Sequence, residues 1–388
     1  MTQRNPSFTV LSQNYLFPEV AKRKKLFLEQ HPGVQLINLS IGDTTEPIPG
    51  CIAEELAAAA NRLGTATGYS GYGPEQGMES LRTQIANYLY KGIVSADDLF
   101  ISDGAKCDLG RLQLLFGPEV SIAVPDPAYP VYLDGSLLQG VKKITFMPFT
   151  PENNFWPDLA QVKGMDLIYW CSPNNPTGSI SSKEQLTLLV AHAKANGSII
   201  IFDAAYAGYI QDPSLPRSIF EIPGAEEVAI EVGSFSKLAG FSGIRLGWTI
   251  VPAALKYRDG TSVKADWKRL ISTIFNGASN IAQAGGLAVL TDTGMQAVQR
   301  TIQFYLENTA LLKQALQKLG HNVYGGTHTP YLWVRFPEKE SWTAFQEVLE
   351  KYHLVTTPGS GFGKAGEGFL RFSAFGHRET ILAAISRL

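Results

Sequence analysis

Between residues 100 and 250, short apolar runs alternate with segments whose apolar residues recur every three or four positions. The runs Val120–Val124, Asp166–Cys171 and Ser198–Phe202 read as strands, the last so rich in isoleucine that it predicts a strand buried on both faces. Between the second and third, Leu186, Leu189, Val190 and Ala193 share one helical face. Ser181-Ser-Lys-Glu184 predicts a capping box at the start of that helix, and Asn196-Gly197 its stop. Helical patterns also run through Met78, Leu81, Ile85 and Leu89, and through Leu109, Leu112, Leu114 and Leu115. This rhythm predicts an α/β fold with a mainly parallel, doubly wound sheet. The chain ends differ, being helix-rich with a late strand candidate at Tyr331–Arg335.

Composition narrows the class. The 388 residues, 45% hydrophobic and 18% charged, can bury a large core in two lobes, and a mean hydropathy of -0.02 is that of a soluble enzyme. A net charge of -2 gives no general attraction to nucleic acid or to an anionic membrane. Three cysteines, Cys51, Cys107 and Cys171, are odd in number and far apart, and the six histidines lack ligand spacing. They predict neither a disulfide framework nor a metal site, and point to a reducing compartment. The N-terminal residues lack an apolar signal core, and no apolar run approaches the ~20 residues of a membrane span. The expectation is a cytoplasmic protein.

Candidate chemistry concentrates in Gly233–Trp248. Lys237 is flanked by the hydroxyls of Ser234 and Ser236, with Arg245 eight residues later. An amine can condense with a carbonyl, while hydroxyls and a guanidinium grip a phosphate. Pyridoxal 5'-phosphate carries both groups. A lone Ser-x-Lys would be read as a surface loop, but two upstream elements oppose that. Asp203 closes the isoleucine-rich strand, where open α/β sheets bind ligands. Buried there it needs a cation, which a protonated pyridine nitrogen supplies. Tyr206, three residues on, can face the cofactor's ring oxygen, as can the amide N–H of Asn175 in the turn Ser172–Gly178. Gly104, Ala105 and Lys106 open a predicted helix, whose free N–H groups favour phosphate.

Asn175, Asp203, Tyr206, Ser234, Ser236, Lys237 and Arg245, in this order and spacing, resemble the aspartate-aminotransferase superfamily, the fold-type I pyridoxal-phosphate enzymes, along nearly the whole chain. The resemblance implies a large cofactor-binding domain over residues 44–285 and a smaller α+β domain from residues 1–43 and 286–388. It implies that Tyr129 stacks on the cofactor ring and that Arg371 clamps the substrate α-carboxylate. It also implies a homodimer with shared sites, in which Tyr72 reaches the phosphate in the neighbouring subunit. Lys106 departs from the hydroxyl residue usual in the superfamily and adds a positive charge.

Within that superfamily, Asn14–Phe17, Leu39–Pro47, Ser102–Lys106 and Thr273–Ser279 look like the LL-diaminopimelate aminotransferases. These exchange an amino group between glutamate and tetrahydrodipicolinate. The likeness implies that Tyr15, Gly42, Glu75, Lys106, Tyr129, Asn175, Asn276 and Arg371 contact substrate, with Tyr72 and Asn276 coming from the partner and Asn276 also near the cofactor. Lys106 and Glu75 suit the distal carboxylate and ammonium of diaminopimelate. Lys237 is expected to move the α-proton, which requires its pKa to fall from about 10.4. Another class I aminotransferase, a C–S lyase and a cofactor-sensing regulator remain open as alternatives.

Overall fold

The computed structural model describes residues 2–11 and 16–388. Among them, seven strands form one sheet: β1 (Leu99–Ser102), β2 (Ser121–Asp126), β3 (Lys143–Pro148), β4 (Leu167–Cys171), β5 (Ile199–Asp203), β6 (Ala229–Ser234) and β7 (Gly247–Ile250). Their order is β1-β7-β6-β5-β4-β2-β3. β7 pairs antiparallel with both neighbours and the other pairings are parallel. Strand β5 is buried throughout because helices cover both faces of the sheet. Its Ile199 and Ile201 enter one core with Leu109, Leu112 and Trp267; Ile200 and Phe202 enter another with Leu186, Leu189 and Val190.

The helix opening on Ala105 (α1, Ala105–Phe116) buries Leu109 and Leu112, but Leu114 is 46% exposed. Leu114 lies two residues from Leu112, off the buried stripe. The helix Lys183–Asn196 (α2) buries the four predicted residues and stops at Gly197, whose φ of 65° suits glycine. Its capping box starts one residue later than expected, at Ser182 with Gln185. The Ser181 hydroxyl is taken by the Trp170 indole N–H at 2.9 Å, leaving Ser182 to cap. The helix predicted through Met78 to Leu89 runs as an α-segment, Glu79–Gln84, followed by a π-turn over Ile85–Leu89. This widening keeps Ile85 and Ala86 buried while Leu89 is only partly so.

A four-stranded antiparallel sheet holds Val323–Gly325, Tyr331–Arg335, Thr357–Pro358 and Phe369–Ser373. Its core takes Leu16, Val20 and Phe27 from the N-terminal helix and Phe345 and Ile381 from late helices, so both chain ends meet on it. Trp333 and Phe369 stack at 5.1 Å across neighbouring strands. Helix α3 (Asp292–Lys318) joins the layers: Ile302 and Tyr305 pack with Phe241 and Trp248, whereas Leu312 and Leu316 pack with Leu332. Among the described residues, no helix is long and apolar enough to cross a membrane, and no three His, Cys, Asp or Glu residues cluster as a metal site.

Candidate active site

The parallel strands deliver their C-terminal ends to one cavity of about 350 Å3, and the four-stranded sheet closes it from above. β5 ends on Asp203. One of its carboxylate oxygens accepts the Tyr132 hydroxyl at 2.7 Å and the other accepts the Ala205 N–H at 3.0 Å. Burial raises its pKa against these two donors, and no cation among the described residues pairs with it. A buried carboxylate held only by neutral donors suits a ligand bearing a protonated ring nitrogen.

β6 ends on Ser234, whose hydroxyl accepts the Ser236 N–H at 3.1 Å and caps the single turn Phe235–Leu238. That turn presents Lys237. Its pKa is lowered, first by burial and further by Arg371 and Arg245, against the opposing charge of Asp43. The Lys237 Nζ lies 3.4 Å from an Asp43 oxygen and 3.5 Å from the Ser242 hydroxyl.

β1 ends at Ser102, and Gly104 turns the chain into α1 with a φ of 124°. A side chain would be strained by that backbone angle and would displace the Arg245 guanidinium, which lies 2.5 Å from where a Cβ would stand. Gly247 on β7 is constrained by backbone, since its Cβ would lie 2.8 Å from Gly104 Cα and 3.0 Å from Ala105 N. These two glycines bring the helix N-terminus down onto the sheet beside Ser234 and Ser236. Arg245 completes the cradle. Its own φ of 67° is left-handed, a conformation unfavourable for a non-glycine residue. A bond from its guanidinium to the Ser242 carbonyl at 2.9 Å helps to hold it. Backbone N–H groups, two hydroxyls and a guanidinium together form a donor set for a phosphate.

β4 ends at Cys171, and Asn174 pins the following turn by accepting the Thr177 hydroxyl at 2.9 Å. The Asn175 side-chain oxygen accepts from Arg371 at 2.8 Å, which directs its amide N–H2 group elsewhere in the cavity. Arg371 is 1% exposed, in the middle of Phe369–Ser373. It donates to the Ser40 carbonyl at 3.0 Å and lies over the Tyr331 and Phe362 rings at 4.3 and 4.9 Å. Its Nε is buried without a partner, so donor capacity remains for a carboxylate. Gly42 makes room, because a Cβ there would lie 3.2 Å from the Tyr331 hydroxyl and 3.7 Å from Arg371.

Tyr129 and Tyr206 line the same cavity. Burial, and then the charge of Asp203, push the Tyr129 phenol up to about 12. The Tyr206 hydroxyl meets that of Tyr331 at 2.8 Å, and its pKa is raised, first by burial and then by Tyr331. Lys106 points its ammonium over the Tyr129 ring at 5.8 Å.

Twelve of the sixteen sequence-predicted residues thus share this one cavity: the nine on the cofactor strands and turns, with Gly42, Lys106 and Arg371. Tyr72, Glu75 and Asn276 do not line it; they lie on the surface of this chain, Tyr72 with 88% exposure. The Glu75 carboxylate accepts the Ser272 hydroxyl. Tyr15 lies outside the described residues. The cavity also holds residues with little or no signal in the sequence, among them Asp43, Ser242, Tyr132 and Tyr331. Ser242 and Asp43 carried a faint signal, because the first sits five residues after Lys237 and the second follows Gly42.

The family profile described as aminotransferase class I and II matches residues 34–388. A relative from Arabidopsis thaliana, the chloroplastic LL-diaminopimelate aminotransferase, is 55% identical over 99% of this chain and 86% of its own length. The solved structure of L,L-diaminopimelate aminotransferase from Chlamydomonas reinhardtii superposes with a TM-score of 0.96 at 53% identity, covering 100% of this chain and 98% of that one. A double mutant of Thermus thermophilus aspartate aminotransferase shares the fold at a TM-score of 0.86 and 22% identity, over 100% of this chain and 99% of that one. This chain belongs to the class I and II aminotransferases.

Proposed function

We propose that the chain uses pyridoxal 5'-phosphate to interconvert tetrahydrodipicolinate plus glutamate with LL-2,6-diaminopimelate plus 2-oxoglutarate. The observation that carries this reading is the meeting, in one cavity, of an uncompensated buried carboxylate, a lysine of lowered pKa and a buried arginine with a free donor. The names of the Arabidopsis and Chlamydomonas proteins support the substrate.

When bound, the cofactor supplies a carbonyl for amines and a ring that accepts the electrons released at the substrate α-carbon. Asp203 would pair with its ring nitrogen, and Asn175 and Tyr206 would donate to its ring oxygen. Tyr129 would cover the ring and exclude water. The N–H groups of Ala105 and Lys106, the hydroxyls of Ser234 and Ser236, and Arg245 would hold the phosphate. Arg371 would fix the substrate α-carboxylate through two parallel hydrogen bonds, which sets which bond at the α-carbon is broken. Lys237 would take that proton on Nζ and return it, as its lowered pKa favours.

The remaining residues require a second copy. Tyr72, Asn276 and Glu75 are exposed here, and we assign them to the partner's site in a homodimer, Tyr72 at the phosphate, Asn276 at cofactor and substrate, and Glu75 at the distal ammonium, with Lys106 at the distal carboxylate. Tyr15 and Gly42 complete the substrate contacts. The division into a large domain of residues 44–285 and a small one of 1–43 with 286–388 would let the two sheets close on substrate. The cytoplasm is the expected compartment.

Purified protein given LL-diaminopimelate and 2-oxoglutarate should generate the cyclised product, read as its o-aminobenzaldehyde adduct. Faster turnover of aspartate, alanine or an aromatic amino acid would overturn the substrate. Borohydride reduction should leave the cofactor on the peptide containing Lys237; a cofactor found elsewhere would overturn the site.

A further inference from the structure

The Lys237 amine is free during part of any cycle that uses it as a proton carrier, and the structure provides a receptor for it in that state. One carboxylate oxygen of Asp43 gathers three donors: the Thr44 N–H at 2.8 Å, the Ser242 hydroxyl, and Lys237 Nζ at 3.4 Å. Ser242 also touches Lys237 at 3.5 Å, so lysine, serine and aspartate close a triangle. The loop that carries Asp43 is itself pinned. Tyr305, fully buried on α3, accepts the N–H groups of Thr45 at 2.7 Å and Glu46 at 2.6 Å through one hydroxyl. Asp43 therefore reaches the cavity on an anchored loop.

We propose that Asp43, oriented by Ser242, is a positioning residue that receives the Lys237 amine whenever it is free and sets the pH at which that amine exchanges its proton. The proposal rests on Lys237 being the reactive amine. Burial acts to raise the Asp43 pKa, but the Ser242 hydrogen bond, the Lys237 charge and the Thr44 N–H outweigh it, so the group stays ionised. The other charges that act on Lys237 are the guanidinium groups of Arg371 and Arg245, and both oppose protonation. Lys106, Asp203 and the phenols of Tyr129, Tyr206 and Tyr331 face the same cavity without bonding the amine. Asp43 is thus the one anion in contact with Lys237 among the described residues, set against two cations and burial. Without Asp43 the amine would lose its proton too readily to pass it on; without the opposing cations it would hold the proton too tightly.

The test reads the amine directly and needs no turnover. Full-length protein in its pyridoxamine phosphate form is trace-labelled with acetic anhydride across a pH series, and the Lys237 peptide is quantified by mass spectrometry. Asp43→Asn should move the half-labelling pH down by about one unit, the low end of the effect of an opposite charge at this range, and Asp43→Glu should restore most of it. Ser242→Ala, which removes the hydroxyl that orients Asp43, should move it in the same direction by less. Coincident curves for wild type and Asp43→Asn would overturn the proposal, as would an equal displacement by Asp43→Glu. If Asp43→Asn does not fold, an unmoved midpoint in Ser242→Ala overturns it alone. Failure to trap cofactor on Lys237 would sink the cofactor assignment instead, because this labelling can be repeated on protein given no cofactor.

Discussion

Lys237 and Tyr72 stand at opposite extremes of one molecule. Lys237 keeps 15% of its side chain exposed and has Asp43, Ser242 and two cations around it. Tyr72 is 88% exposed. The same contrast separates Asp203 and Arg371, both buried and bonded, from Glu75 and Asn276 on the surface. One group is built by strand ends that a folded core already fixes, so a single chain preorganises it. The other is carried by surface turns, and in the homodimer we propose it would complete its surroundings from a second chain. Buried groups such as Lys237, Asp203 and Arg371 serve the reaction common to all substrates; a surface group such as Glu75 can vary without disturbing the core and suits selection among substrates.

The largest effect should come from the buried group. Lys237→Ala should lower turnover of every amino donor by at least about ten-thousandfold, the full worth of a proton-transfer group. A variant retaining wild-type kcat would remove the chemical role from this residue. The exposed group is probed by mixing. Lys237→Ala and Tyr72→Ala are each expected to be impaired, but in the homodimer we propose a hybrid would contain one site with both residues intact. Refolding the two together at equal amounts should recover about a quarter of wild-type activity, since half the dimers are hybrid and half of their sites complete. No gain on mixing would mean that Tyr72 serves its own chain or none.

The buried group was also the more legible one. Lys237, Asp203 and Asn175 follow apolar runs that announce strands, and their neighbours are the glycines, prolines and hydroxyls of tight turns. Their positions relative to the sheet follow from local pattern alone. Tyr132 and Tyr331 were not legible, because an aromatic residue in an apolar segment looks like core. Only the folded chain brings Tyr132 to Asp203 and Tyr331 to Tyr206, across 71 and 125 residues. Asp43 meets Ser242 across 199 residues, a contact that no local pattern encodes. The slipped capping box has the same origin: Ser181 and Ser182 are equivalent in sequence until a buried indole claims one of them. Tertiary competition, which propensity does not see, decided each case.

Glu75 sharpens the division between chemistry and selection. Among the described residues its carboxylate is held only by the Ser272 hydroxyl, so Glu75→Ala should leave the fold intact. Loss of one hydrogen bond to a charged ammonium is worth about 1.5–3 kcal/mol, so kcat/KM for LL-diaminopimelate should fall at least about tenfold. Glutamate has no distal ammonium, and its half-reaction should change little. Equal losses with both substrates would place Glu75 in the common machinery and blur the comparison.

The smallest effect concerns stability and runs against intuition, because a residue of the preorganised group should destabilise the chain that carries it. Burial raises the Asp203 pKa over the lowering effect of the Tyr132 and Ala205 donors. An acid raised in the folded state favours folding fully only below its unfolded value, near 3.8, and that contribution is lost as pH rises through the folded value. At neutral pH Asp203 therefore opposes folding unless a cationic ring nitrogen meets it. Asp203→Asn keeps an oxygen for the Ala205 N–H, offers its amide N–H to the Tyr132 hydroxyl, which can accept, and removes the charge. Stripped of cofactor at pH 7, this variant should melt above wild type, with the gap closing as pH falls toward about 3.8. Saturating pyridoxal 5'-phosphate should reverse the order, because only the carboxylate gains an ion pair on binding. If wild type stripped of cofactor melts as high as Asp203→Asn at pH 7, the carboxylate is not awaiting a cation, and the buried half of the site loses its reason for being built as it is.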